Sequence, residues 1–109
     1  MVTSQPRAAV VYHPLKTDVA ALRSAVLRHE AKAGWAPSIW HETSEDDAGQ
    51  AVTKLALESG ASVVLASGGD GTVRAVAEAL RGSGTPIAVV PQGTGNLLAR
   101  NLGAPLGDL

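Results

Sequence analysis

Four short apolar runs alternate with four stretches in which apolar residues recur every three or four positions. The first run, Arg7 to Tyr12 (RAAVVY), predicts a buried strand that stops at His13-Pro14, where the proline ring removes a donor and biases the preceding residue away from helix. Val19, Leu22, Val26 and Ala33 then fall at helical spacing, with Thr17 as the expected N-cap, Asp18 in the first turn and Gly34 at the stop. Pro37 to Glu42 (PSIWHE) predicts a second strand carrying Ile39 and Trp40. In the polar cluster that follows, Thr43 with Asp46 and Ser44 with Asp47 both have capping-box spacing. The next helix is expected to bury Ala48, Ala51, Val52, Leu55 and Ala56 on one face and to close at Gly60. Ser62 to Ala66 predicts a third strand, Val73 to Leu80 a helix ending near Arg81-Gly82, and Pro86 to Val90 a fourth strand. Leu97 to Leu102 predicts a last short helix, stopped by Gly103 and Pro105.

Strands that are apolar throughout and alternate with helices predict an α/β fold of three layers, α/β/α, with a parallel sheet and right-handed crossovers. Ligands in such sheets bind at the carboxyl ends of the strands. Here each expected strand ends in a distinctive turn: His13-Pro14, Thr43-Ser44, Gly68 to Thr72, and Gly93 to Asn96. The two glycine-rich turns should share one rim. Ser67-Gly68-Gly69-Asp70-Gly71-Thr72 sits where a strand hands over to a helix, which suits phosphate: glycine lets the backbone approach a ligand, and the first helical amides point out unpaired.

Composition narrows the partners. The 109 residues suit one domain, and an apolar share of 45% drawn mostly from Ala, Val and Leu, with two Trp, one Tyr and no Phe, calls for close packing of small side chains. A net charge of −1 gives no electrostatic case for nucleic acid, and no polybasic run is present to hold a membrane. With no cysteine there is neither a disulfide framework nor a thiolate metal site. His13, His29 and His41 lack ligand spacing. No leader-like segment and no apolar run of roughly 18 residues occurs, so the expected location is cytoplasmic.

Two familiar phosphate loops fail. No Gly-Lys pair exists for a Walker-type loop, and the dinucleotide fingerprint that starts at Gly69 and Gly71 meets Arg74 where its third glycine belongs. What remains is a pair of motifs, Gly-Gly-Asp-Gly-Thr at 68–72 and Pro-x-Gly-Thr-Gly-Asn at 91–96. With both in place the chain, from Ala8 to Pro105, resembles the catalytic domain of diacylglycerol kinases and their bacterial and sphingosine-kinase relatives.

That resemblance implies an ATP- and Mg²⁺-dependent kinase domain acting on a hydroxyl of diacylglycerol or a related lipid, with transient contact to a membrane surface in the full enzyme. It also implies a second, β-rich domain that residues 1–109 do not contain, so the isolated chain is expected to be inactive and open to self-association through an uncovered face. Carried over by position, Gly68, Gly69, Asp70, Gly71 and Thr72 line the phosphates, Gly93, Thr94, Gly95 and Asn96 form the second phosphate turn, and Thr43 meets the nucleotide. Pro14 and Lys16 belong to the first loop of the nucleotide site. Asp70 is the expected catalytic residue and metal contact, directly or through a metal-bound water, because a bare carboxylate would be repelled by a triphosphate.

The chain departs from the family pattern at His13, where asparagine is usual, at Arg74-Ala75, where Asn-Glu is common, and at Leu97. Several residues also have a purely structural use: Asp70, Thr72 and Thr94 as helix caps, Asn96 in fixing its own turn, Lys16, Arg74 and Arg100 as surface charges, and Trp35 and Trp40 in packing. A stacking role on the nucleotide is the alternative for Trp40. Two rival functions remain, an NAD kinase-like enzyme and a nucleotide-binding or oligomerisation module without catalysis.

Overall fold

The computed structural model describes residues 5–90. Within them the order is β1 (Ala8–Tyr12), α1 (Val19–Ala33), β2 (Ile39–Glu42), α2 (Gln50–Glu58), β3 (Val63–Ser67), α3 (Asp70–Leu80) and β4 (Ile87–Val90). The expected helix at 97–102 lies outside the described residues. The strands form one parallel sheet in the order β2-β1-β3-β4, with Tyr12 beside both Glu42 and Ser67, and Ser67 beside Val90. Both central strands, β1 and β3, are buried along their whole length, whereas the edge strands β2 and β4 are only partly covered. This matches the uninterrupted apolar runs of the two central strands.

Alternation along β1 divides the core into two layers. Ala8, Val10 and Tyr12 face α1, with Leu22, Ala25 and Val26 packed on Val63 and Leu65, and Trp35 and Trp40 at the margin. Ala9 and Val11 face the other way, against Ala56 of α2 and Val76 and Leu80 of α3. The result is a three-layer α/β/α sandwich.

Trp40 meets Tyr12 edge-on at 5.9 Å between ring centroids, and the Arg23 guanidinium lies 4.4 Å from the Trp40 ring centroid. Trp40 thus packs between buried Tyr12 and the exposed Arg23. Burial, reinforced by the Glu42 carboxylate, pushes the Tyr12 phenol above its usual range against the opposite pull of Arg23. At the far end of α1, the Glu30 carboxylate accepts hydrogen bonds from the Ser38 amide, at 2.7 Å, and the Ser38 hydroxyl. Helix α1 is thereby tied to the entry of β2.

Two local expectations change. The cap of α1 is Asp18, whose carboxylate accepts from the Ala21 amide at 3.0 Å, and Thr17 sits outside the helix. Helix α2 begins after Gly49 and turns Thr53 and Ala56 inward, with Val52 and Leu57 at the margin, while Ala48, Ala51 and Leu55 face outward. The cause is close packing at Gly49: a Cβ there would stand 3.3 Å from Val76 Cγ2 and 3.5 Å from Val11 Cγ1, at φ +139°. Only glycine lets the helix start so near the sheet at this φ. Only half of the Ser44–Asp47 box forms, and upstream of the helix: Asp47 N–H donates to Ser44 Oγ at 3.1 Å, whereas Ser44 N–H donates to the Asp47 main-chain carbonyl at 2.8 Å and not to its carboxylate.

Candidate functional site

The carboxyl ends of the parallel strands make one rim, and the direction of winding reverses between β1 and β3. That switch point is where sheets of this type open a crevice for ligands. Three loops of the described chain reach this rim.

The turn after β3 is built for close approach. Only Gly68 and Gly69 separate Ser67 from the start of α3. Gly68 holds φ +153°, and a Cβ there would lie 2.7 Å from Thr72 Oγ1 and 2.9 Å from His13 Cβ, so the turn has no room for a side chain. Gly69 is extended and caps α3 with its carbonyl, which accepts from Thr72 N–H at 3.1 Å and Val73 N–H at 3.2 Å. The amides of Asp70 and Gly71 precede any intrahelical acceptor and carry the positive end of the helix dipole. Asp70 is the first residue of α3, exposed, and makes no capping hydrogen bond, which removes the structural use as a cap. Thr72 is buried with its hydroxyl over Gly68, so it faces into the turn and not toward solvent. Gly71 differs from Gly68: it is helical, and a Cβ there would meet no described atom within 4 Å.

The loop after β1 closes on itself through His13. Its Nδ1 accepts from Leu15 N–H at 3.2 Å and its carbonyl from Lys16 N–H at 3.1 Å. An asparagine oxygen makes the same bond to the amide two residues on, so the ring nitrogen can stand in for such an oxygen in this turn. Leu15 and Lys16 are exposed at the tip. The loop after β2 begins at Thr43, buried, with its amide on the Tyr12 carbonyl at 2.9 Å. Between these two loops runs a groove of about 370 Å³ lined by His13, Pro14, Leu15, Thr43, Ser44 and Glu45. Its size falls within the range of small-molecule pockets.

Behind the groove, Asp47 shapes the start of α2. Its carboxylate accepts from the amides of Gly49 (2.9 Å), Ala51 (3.0 Å) and Val52 (3.1 Å). Desolvation alone would raise its carboxyl, but these bonds and one from Gln50 outweigh it and hold the group below its ordinary value.

Of the expected site residues, Pro14 and Thr43 share the groove, Lys16 lies on the same loop as Pro14, and Gly68 to Thr72 form the adjoining turn. Gly93, Thr94, Gly95 and Asn96 lie outside the described residues, although β4 delivers the chain at Val90 to the same rim, paired with Ser67. Sequence reasoning missed the His13 turn, the contact of Thr17 with Ser67, and the role of Asp47 as a side-chain acceptor for the first amides of α2. The signal for Asp47 was present in the acidic cluster but spread over three adjacent carboxylates. Among the described residues no three His, Cys, Asp or Glu side chains gather around a common point, and no helix is long and apolar enough to cross a membrane.

Comparison with known proteins agrees with this geometry. The chain is 36% identical over 105 residues to a probable lipid kinase YegS-like of Pseudomonas fluorescens, a match covering 94% of this chain and 34% of that protein. It is 47% identical over 66 residues to a probable lipid kinase YegS-like of Pseudomonas aeruginosa, covering 59% of this chain and 22% of that one. An uncharacterized protein of Synechocystis, sll0036, is 50% identical over 46 residues, which span 42% of this chain and 11% of the relative. The chain thus spans about a third of the length of the Pseudomonas fluorescens relative. Residues 7–109 match the diacylglycerol kinase catalytic domain, and the chain belongs to that family.

Proposed function

We propose that the chain is the nucleotide-binding part of an ATP-dependent lipid kinase that transfers the γ-phosphoryl group to a hydroxyl of diacylglycerol or a related lipid. The observation that carries this reading is Gly71. Nothing in its backbone or described surroundings requires glycine, and alanine would favour the helix by roughly 0.8–1 kcal/mol. A glycine held against propensity at a helix N-terminus, on the rim at the switch point, suits a ligand that must come close to the backbone.

In this reading the phosphates lie against the amides of Gly69 to Thr72, where the dipole of α3 offsets their charge without reorganisation. The base and ribose occupy the groove between Pro14 and Thr43, and Lys16 reaches from the loop between groove and turn. Asp70, exposed and uncommitted to a cap, fits Mg²⁺, since this ion is commonly held by one or two carboxylates with phosphate oxygens and waters. Mg²⁺, when bound, neutralises charge that builds on the phosphoryl oxygens. The chain's own part is to position: the turn fixes the phosphate chain, and the groove fixes the nucleoside end. Acceptor recognition is assigned to a β-rich domain outside this chain, together with the contact to a membrane surface.

Titration of the chain with Mg·ATP, followed at backbone amides by NMR, tests the site. Shifts concentrated at Gly69–Thr72 and at Thr43 are expected, and an unchanged spectrum at millimolar Mg·ATP would refute it. On the full-length protein, phosphate transfer to diacylglycerol and not to NAD separates the lipid kinase from its nearest rival.

A further inference from the structure

Two loops reach the switch point from adjacent strands, and one residue holds both in place. Ser67, only 1% exposed, is the last residue of β3 and stands immediately before Gly68. Its carbonyl accepts from His13 N–H at 2.9 Å, which extends the β1–β3 ladder by one step into the loop. Four residues later the loop returns: Thr17 Oγ1 lies 3.3 Å from the Ser67 carbonyl and 3.1 Å from Ser67 Oγ. Both hydroxyls are satisfied when Ser67 Oγ donates to Thr17 Oγ1 and Thr17 donates to the Ser67 carbonyl. Thr17 is available for this because Asp18 caps α1.

The loop between these two anchors is itself closed by His13, and its base packs on Gly68. Any displacement of Thr17 is therefore delivered through Ser67 to the turn that starts one residue later. We propose that Thr17 and Ser67 are positioning residues, a clasp that keeps the Pro14–Lys16 loop in register with the Gly68–Thr72 turn so that both meet one nucleotide. This rests on the kinase reading, because the spacing matters to function only if the two loops share a ligand.

Amide hydrogen exchange and Mg·ATP affinity, measured on the whole chain for Thr17→Val, Thr17→Ser, Ser67→Ala and the Thr17→Val/Ser67→Ala double variant, test it. Thr17→Val is expected to speed exchange at His13, Lys16 and Thr72 together, and to weaken Mg·ATP about five- to tenfold, as loss of one or two net hydrogen bonds would. Thr17→Ser keeps the hydroxyl and restores both. Ser67→Ala adds nothing in the Thr17→Val background, because the two act as one unit. Unchanged exchange in Thr17→Val, or joint exchange with unaltered Mg·ATP affinity, overturns the positioning role. If the unmodified chain shows no Mg·ATP response at all, the nucleotide reading fails instead, and joint exchange of the two loops still supports the clasp.

Discussion

Gly68 and Gly71 stand three positions apart in one motif, and alanine should do opposite things at the two. At Gly68 a Cβ would lie 2.7 Å from Thr72 Oγ1, 2.9 Å from His13 Cβ and 3.1 Å from Thr72 Cβ, at φ +153°. Backbone strain at such a φ costs about 1–3 kcal/mol, and forcing a methyl group into a filled site costs about 1–3 kcal/mol more. Against this, alanine reduces the freedom of the unfolded chain by roughly 0.4–1 kcal/mol. The net loss for Gly68→Ala is about 1–5.6 kcal/mol, set against the roughly 5–15 kcal/mol that holds a domain together. At Gly71 an added Cβ would meet no described atom within 4 Å beyond its own helix turn, and the backbone is helical, so Gly71→Ala should gain about 0.5–1 kcal/mol. Urea unfolding followed by circular dichroism reads both, with unchanged m-values as the control. Adding Thr72→Ala to Gly68→Ala removes the 2.7 Å contact but not that with His13, so stability should return only in part. Gly71→Ala, though more stable, should bind Mg·ATP less tightly. A Gly68→Ala variant as stable as the parent would refute the crowded turn, and a Gly71→Ala variant with full affinity would refute a glycine kept for ligand.

Further expectations rest on single residues. Asp47→Ala should cost about 0.5–2 kcal/mol at neutral pH through loss of the α2 cap. Because the folded carboxyl titrates below its ordinary 3.8, that contribution is complete above the unfolded value and lost as pH falls through the folded one; a pH series of unfolding midpoints should show the two chains converging in acid. Thr53 is fully buried with no hydrogen-bond partner for Oγ1 among the described residues; Thr53→Val keeps its shape and should raise stability by about 1 kcal/mol in the same urea assay. His13→Asn should preserve protection of the Leu15 amide in hydrogen exchange, whereas His13→Ala should lose it. Under the proposed kinase reading, Asp70→Asn in the full-length protein should abolish most phosphate transfer while costing no more than the about 0.3–1 kcal/mol of an exposed carboxylate in a helix's first turn, since it caps nothing in α3.

Periodicity and punctuation carried most of the architecture. The runs at Ala8–Tyr12 and 63–66 are apolar without interruption, and only a strand covered on both faces needs that. The glycine pair after Ser67 announced the turn into α3, and at Gly68 that turn leaves no room for a side chain. The face of α2 was read wrongly because Leu55 is more apolar than Thr53, yet Leu55 is 51% exposed and Thr53 is buried. Hydropathy ranks side chains one at a time, whereas which face of that helix is buried is decided in the assembled fold, where Gly49 stands close to Val76 and Val11.

The division between the two levels is clearest at the rim. Local order, strand then glycine turn then helix, follows from residues adjacent in the chain, and so do the family and the position of Asp70 at a helix start. Which loop touches which does not, because Thr17 and Ser67 lie fifty residues apart and either hydroxyl could have capped a helix or met water. Pairing β1 with β3, not with β2 alone, brings them together. Packing then turned Thr72 inward, gave the cap of α1 to Asp18 and left Thr17 to hold the first loop. Hydrogen bonds between distant hydroxyls depend on strand order, and strand order is a property of the assembled sheet.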